Sequence, residues 1–177
     1  FTFWDEGKCR ELINSLRSDG IFTPVSTKPT LYMPSAMGGA NWGGIAVDRR
    51  QQIGVVNLNS LATMGQLVPS VAGKDGETHA GVGSLQAKMD GTPYAMKMGN
   101  LGSPIGTPCN KPPWGKLVAV DLKKGEVLWE SALGSIHGLS PVPLPFEIEL
   151  GTPNLGGPLI TGSGLVFIGA TLDKRFR

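Results

Sequence analysis

The two histidines are the side chains of this sequence best suited to acid–base chemistry near neutral pH. His79 lies in Gly76-Glu-Thr-His-Ala-Gly81, and His137 lies in Gly134-Ser-Ile-His-Gly138. Both stretches have the composition of loops, and neither histidine has a cysteine or a carboxylate at a metal-ligand spacing. We therefore interpret both as solvated loop residues, and we predict neither a metal site nor a catalytic residue within this chain.

The acidic residues are predicted to have structural roles. Three aspartates directly follow apolar segments: Asp48, Asp121 and Asp173. At such positions a carboxylate accepts hydrogen bonds from the backbone amides of a turn, so we interpret them as turn residues. Other acidic residues are spread through a glycine-rich stretch: Asp75, Glu77 and Asp90. Their spacing lacks the regular ladder of oxygen ligands that a calcium loop requires.

Cysteine chemistry is limited to Cys9 and Cys109, which lie far apart in the sequence. Outside the cytoplasm two cysteines favour a disulfide, whereas in the cytosol they are usually buried thiols. Sequence reasoning leaves both possibilities open.

Composition indicates a globular protein rich in strands and loops. The 177 residues include 26 Gly and 14 Pro, too many for a helical bundle, and 40% of the residues are hydrophobic. A net charge of +2, without a basic cluster interleaved with aromatic residues, argues against a nucleic-acid partner. No apolar run is long enough to span a membrane. The chain begins at Phe1 without Met and stops at Arg177, so we expect an internal piece of a larger protein.

The elements that must position any site follow from local patterns. Apolar residues at helical spacing (Cys9, Leu12, Ile13 and Leu16) predict a short helix over residues 3–17. The clearest hairpin is 115–130, with apolar arms and a two-residue turn at Lys124-Gly125. We predict a helix and capping segment at about 1–29, blade units at about 30–60, 115–130 and 156–177, and a long loop at about 65–113.

Two of these units resemble each other. Gly43-Gly44 and Gly156-Gly157 each precede an apolar arm, a polar turn and a second apolar arm. Such self-similarity is typical of repeat architectures, and propeller blades of roughly 40–50 residues fit the spacing. A glycine pair also lets the backbone lie close to a neighbour or a ligand.

Several motifs together resemble a known family. The 115–130 hairpin, with Asp121, Gly125 and Trp129 at its fixed positions, looks like the tryptophan-docking repeat of the quinoprotein alcohol dehydrogenases. Further stretches that look like their membrane-bound glucose, quinate and polyol dehydrogenase subfamily are Cys9-Arg10, Asp19–Pro24, Pro34–Gly44, Val47-Asp48, Gly91–Tyr94, Ser103–Cys109, Pro113–Gly115 and Leu155–Pro158.

This resemblance implies an all-β fold, namely part of an eight-bladed β-propeller. About two to three blades would be present here, with one short helix and long capping loops. It implies oxidation of a sugar or polyol hydroxyl with pyrroloquinoline quinone (PQQ), and electron transfer to ubiquinone on the periplasmic side of the bacterial inner membrane. A divalent cation (Ca²⁺ or Mg²⁺) and the membrane-anchoring N-terminal helices would belong to parts outside this segment. The segment alone would be inactive and prone to self-association through uncovered edges.

The resemblance also implies three cofactor-binding residues. Gly38-Gly-Ala-Asn-Trp42 matches a motif of the alcohol-oxidising relatives in which the asparagine amide faces the quinone oxygens. Asn41 is therefore the leading candidate, since an amide donates to a carbonyl or an oxyanion without changing charge. Trp42 would border the cofactor, or else pack within a blade. Leu155, before Gly156-Gly157, would form an apolar wall.

The alternative from another class is a non-catalytic propeller of PQQ-like repeats that acts as a protein-interaction scaffold. Such proteins share the hairpin with its aspartate, glycine and tryptophan. They lack the Gly38–Trp42 motif and the long loop rich in proline that carries Cys109, and these two features favour the enzyme.

Overall fold

The computed structural model describes residues 3, 5–35, 37–70, 84–104, 106–137 and 145–177. The elements in chain order are α1 (Glu6–Asn14), β1 (Thr30–Tyr32), β2 (Ile45–Asp48), β3 (Ile53–Asn59), β4 (Thr63–Pro69), β5 (Ser84–Lys88), β6 (Tyr94–Asn100), β7 (Gly115–Asp121), β8 (Glu126–Ala132), β9 (Leu159–Ile160) and β10 (Val166–Phe167). The described residues thus form one short helix and antiparallel sheets, which confirms the all-β prediction. The chain divides into two compact units.

The first unit comprises Phe1–Ala36 and Leu61–Lys111 and contains a four-stranded antiparallel sheet in the order β1-β4-β6-β5. Its buried apolar residues are Cys9, Leu61, Ala62, Ala95 and Leu101. The prediction that about 65–113 is a long loop is therefore wrong, because β4, β5 and β6 occupy much of it. These strands mix Gly, Met, Gln and Lys and are mostly half-buried, so they lack a clear period-2 pattern.

Helix α1 is shorter than predicted and is fixed at one point by a covalent bond. It spans nine residues, with Cys9 buried and exposed Arg10–Glu6 and Lys8–Glu11 ion pairs on its surface. Cys9 forms a disulfide with Cys109, which resolves the question that the sequence left open. Nearby, the Thr107 hydroxyl donates to the buried Asp5 carboxylate at 3.0 Å. The loop after β6 is thereby attached to the start of the helix.

The second unit comprises Met37–Ser60 and Pro112–Arg177 and contains a four-stranded antiparallel sheet in the order β2-β3-β7-β8, together with the β9-β10 pair. Strand β3 pairs with β7 along its whole length, from Ile53–Asp121 to Asn59–Gly115. The predicted blade units at about 30–60 and 115–130 are thus not separate, because β2-β3 and β7-β8 complete one sheet. The buried apolar side chains are Val55, Trp114, Val118, Ala119, Leu133 and Ile168.

Two corners of this sheet use the same turn chemistry. The Asp48 carboxylate accepts hydrogen bonds from Arg50 N and Gln51 N, at 2.8 and 3.1 Å. Asp121 does the same with Lys123 N and Lys124 N, at the same two distances. The turn-residue interpretation is confirmed at both positions. The turn after Asp121 has four residues, Leu122–Gly125, rather than the predicted two, and Gly125 adopts a left-handed φ of 71°.

Candidate functional site

Asn41 lies in the segment of the second unit that precedes β2, and its side chain is held by local hydrogen bonds. Its Nδ2 donates to the Met37 carbonyl at 2.7 Å, and its Oδ1 accepts from Trp42 N at 2.6 Å. The Asn41 carbonyl accepts from Gly44 N at 3.0 Å, which closes a turn. An amide nitrogen carries two N–H groups, and the bond to Met37 uses one of them. The half-buried amide is thus oriented by local bonds, and its second N–H makes no hydrogen bond to the described residues.

Trp42 and Leu155 expose apolar surface. Trp42 is 78% exposed and Leu155 is 47% exposed. The described residues leave Trp42 uncovered, whereas Trp114 is buried. An exposed indole and an exposed isobutyl group suit an apolar ligand surface.

The two glycine pairs meet in space. A Cβ atom on Gly43 would overlap the carbonyl of Gly156, and one on Gly157 would overlap the carbonyl of Gly43. Only the absence of side chains permits this backbone contact. Trp42 directly precedes Gly43, and Leu155 directly precedes Gly156. The contact therefore brings together the two segments that carry the three predicted cofactor-binding residues.

A buried cluster of three asparagines connects the same two segments: Asn57, Asn59 and Asn154. Asn57 donates to Asn154 Oδ1 at 2.6 Å, and Asn59 exchanges two hydrogen bonds with the backbone of Asn154. Sequence reasoning missed this cluster. The available signal was Asn57 and Asn59 at alternate positions of an otherwise apolar strand, where both side chains project from one face.

A half-buried ion pair between Arg177 and Asp173 lies near the last residues of the second unit. Asp173 accepts hydrogen bonds from Arg177 at 2.5 Å, from the Thr171 hydroxyl at 2.5 Å and from Ser135 N at 2.8 Å. The bond from Arg177, with those from Thr171 and Ser135, holds the pKa of Asp173 well below its usual range, although burial opposes the shift. The aspartate thus stabilises a loop corner, beyond the turn role predicted for it.

The other residues with potential chemistry remain dispersed. His137 is exposed, and His79 lies outside the described residues. Within the described ranges, no group of three His, Cys, Asp or Glu side chains could hold a metal ion. The same part of the chain contains no helix with the length and apolar character needed to cross a membrane.

Each unit has a four-stranded antiparallel sheet, and the Gly-Gly strand–turn–strand unit recurs in the second, as in proteins of the β-propeller class. Residues 1–177 match the PQQ family described as glucose/ethanol/alcohol dehydrogenase, β-propeller domain. The chain belongs to this family of PQQ β-propeller dehydrogenase domains, which confirms the resemblance. The number of blades stays a prediction.

Three relatives illustrate the family. The chain is 35% identical over 184 residues to the quinoprotein glucose dehydrogenase of Escherichia coli (strain K12), covering 99% of this chain and 23% of the relative. It is 35% identical over 185 residues to the quinate/shikimate dehydrogenase (quinone) of Acinetobacter baylyi, with the same two coverages. It is 35% identical over 188 residues to the glycerol dehydrogenase large subunit of Gluconobacter thailandicus, covering 98% of this chain and 25% of the relative. The chain thus spans about a quarter of the length of these relatives.

Proposed function

We propose that this chain is a segment of a PQQ-dependent dehydrogenase, called here the parent enzyme, which oxidises a hydroxyl group of a sugar or polyol. The observation that carries the proposal is the family match over residues 1–177, together with relatives named for glucose, quinate and glycerol oxidation. The parent enzyme would pass its electrons to ubiquinone at the periplasmic side of the inner membrane, anchored by helices outside this segment. The Cys9–Cys109 disulfide supports an oxidising compartment.

Asn41, Trp42 and Leu155 would form the contribution of this segment to PQQ binding. Their chemistry fits the group, because a planar, polar-edged quinone needs an amide donor at its edge and apolar surface along its faces. Asn41 retains one N–H after its bond to Met37, and Trp42 and Leu155 are exposed on adjoining segments. When bound, PQQ supplies the acceptor for the two electrons of hydroxyl oxidation. Asn41 would orient it by donating a hydrogen bond, and the two apolar side chains would exclude water.

The general base and the ligands of the divalent cation would belong to parts of the parent enzyme outside this chain. No motif in this sequence matches those family residues. The segment would therefore shape one side of the cofactor site without carrying the chemistry of proton removal.

The experiment is replacement of Asn41 by Ala in the parent enzyme, followed by turnover measurements with glucose, quinate and glycerol and an artificial electron acceptor. We expect kcat to fall by about 10²-fold, the size of effect seen when one oxyanion donor is removed. Gln66→Ala is the matched control, because Gln66 also donates its amide to a backbone carbonyl, that of Thr27 at 2.9 Å. The control should keep kcat within about twofold. A parent enzyme that neither binds PQQ nor oxidises any of the three substrates would refute the proposed function.

A further inference from the structure

The buried amides of the asparagine cluster of the second unit are paired with one another and with backbone groups. Asn154 is only 1% exposed, and Asn57 and Asn59 are buried as well. The Asn154 Oδ1 accepts from Asn57, and its Nδ2 donates to the carbonyls of Thr152 and Leu58, at 3.2 and 3.4 Å. A buried amide in an apolar core is destabilising unless it is paired in this way.

The side-chain amide of Asn59 forms hydrogen bonds with the backbone of Asn154 in the way that a neighbouring β-strand would. The Asn59 Nδ2 donates to the Asn154 carbonyl at 2.9 Å, and its Oδ1 accepts from Asn154 N at 2.8 Å. A primary amide thereby satisfies both backbone groups of one residue with a single planar side chain. This reciprocal pair fixes the backbone of Asn154, the residue directly before Leu155.

The same asparagines also reach the segment that carries Asn41. The backbone N of Asn59 donates to the carbonyl of Gly39 at 2.7 Å, two residues before Asn41. Asn57 donates to the carbonyl of Gly156 at 2.9 Å, the group against which Gly43 packs. The end of β3 therefore holds both segments, one on each side of the Gly43–Gly156 contact.

Fold stability alone does not require amides at these positions. Replacing paired buried polar groups by apolar groups of similar shape is often nearly neutral, whereas a fully paired network specifies one arrangement of the groups it connects. The quantity that such a network controls is the relative position of the two segments.

We propose that Asn59, supported by Asn57 and Asn154, is a positioning residue that sets the Asn41–Trp42 segment against Leu155 for PQQ binding. This inference rests on the proposed function. It predicts that a substitution at Asn59 has a large effect on the Kd for PQQ and only a small effect on the unfolding midpoint of the apoenzyme.

The test is Asn59→Asp in the parent enzyme, since aspartate keeps the shape of asparagine and loses the donor to the Asn154 carbonyl. The measurements are the unfolding midpoint of the apoenzyme, the Kd for PQQ from quenching of tryptophan fluorescence, and kcat and KM of the reconstituted enzyme. We expect the Kd for PQQ to rise at least tenfold and kcat to fall, with KM for the substrate within about threefold of its original value.

Asn110→Asp is the matched control, because the Asn110 side chain also accepts a backbone N–H, that of Ala62 at 3.0 Å, in the first unit. It should alter the Kd for PQQ by less than twofold. The proposal is overturned if Asn59→Asp changes that Kd no more than Asn110→Asp does. If Asn59→Asp does not fold, Asn57→Ser, which removes the bond to the Gly156 carbonyl, is judged by the same criterion. An unsubstituted parent enzyme that fails to bind PQQ would instead refute the proposed function.

Discussion

At the scale of single residues, Asp173 shows how one carboxylate couples stability to pH. It is 2% exposed in its side chain and accepts bonds from a guanidinium, a hydroxyl and a backbone amide. Hydrogen bonding, above all from Arg177, lowers the pKa of Asp173 in the folded protein. A carboxyl whose folded pKa is depressed contributes stability above its unfolded pKa of about 3.9, and that contribution is lost as the pH falls toward the folded value.

Asp173→Asn should therefore lower stability at neutral pH and flatten its acid dependence. We expect a loss of about 1.5–3 kcal/mol near pH 7, the range for hydrogen bonds to charged groups. Below about pH 4 the difference between the two proteins should begin to shrink, because the unfolded original protein then binds a proton at Asp173 that its folded state resists. Unfolding midpoints of the parent enzyme from about pH 7 to about pH 3 measure both effects.

Asp90→Asn, which removes the same charge from an exposed pair with Lys88, should leave the acid slope unchanged. An Asp173→Asn protein with the original slope would contradict this assignment.

At the scale of elements, α1 depends on its attachment. Nine residues are too few for a helix that is stable by itself in water. Its buried residue, Cys9, is bonded to Cys109 across a sequence separation of 100 residues. Closing so long a loop removes much of the entropy of the unfolded chain, and the entropic account predicts up to about 4.7 kcal/mol.

Cys9→Ala combined with Cys109→Ala should release α1 while the sheet of the first unit persists. Hydrogen exchange of the parent enzyme should show faster exchange at Glu6–Asn14 and unchanged protection in β4 and β6. The unfolding midpoint should fall, and a reducing agent should lower the original midpoint without affecting the double variant. Unchanged exchange at α1 would show that packing alone holds the helix.

Sequence patterns predicted the elements whose cues are local and missed those set by distant pairing. The β2-β3 and β7-β8 hairpins were predicted because apolar arms flank an aspartate corner. The pairing of β3 with β7 was not predicted, because β4, β5 and β6 of the first unit lie between them in the chain and neither strand carries a local cue for the other. Asn41 could be proposed from its motif. The alternate spacing of Asn57 and Asn59 indicates a polar strand face, but it does not identify Asn154, the partner of Asn59, which lies 95 residues away.

At the scale of the whole molecule, apolar strand surface is left uncovered. Strand β8 lies at the end of its sheet, with β7 as its neighbour on one side. Val127 on this strand is 61% exposed, and Leu128 and Trp129 are exposed as well. A net charge of +2 gives little repulsion between copies. An exposed, apolar edge strand is a template for pairing with another chain.

The 177-residue chain produced alone should therefore self-associate, and it should not bind PQQ tightly in the presence of Ca²⁺ or Mg²⁺. Sedimentation velocity over a concentration series measures the association, and a PQQ titration measures the binding.

Val127→Lys should reduce the association, because a charge on an edge strand opposes strand pairing. Leu122→Lys is the matched control, since it adds the same charge in the turn between β7 and β8. If the two substitutions reduce the association equally, the added net charge, and not the edge strand β8, accounts for the reduction. Tight stoichiometric PQQ binding by this chain would contradict the assignment of the cation ligands and the general base to other parts of the parent enzyme.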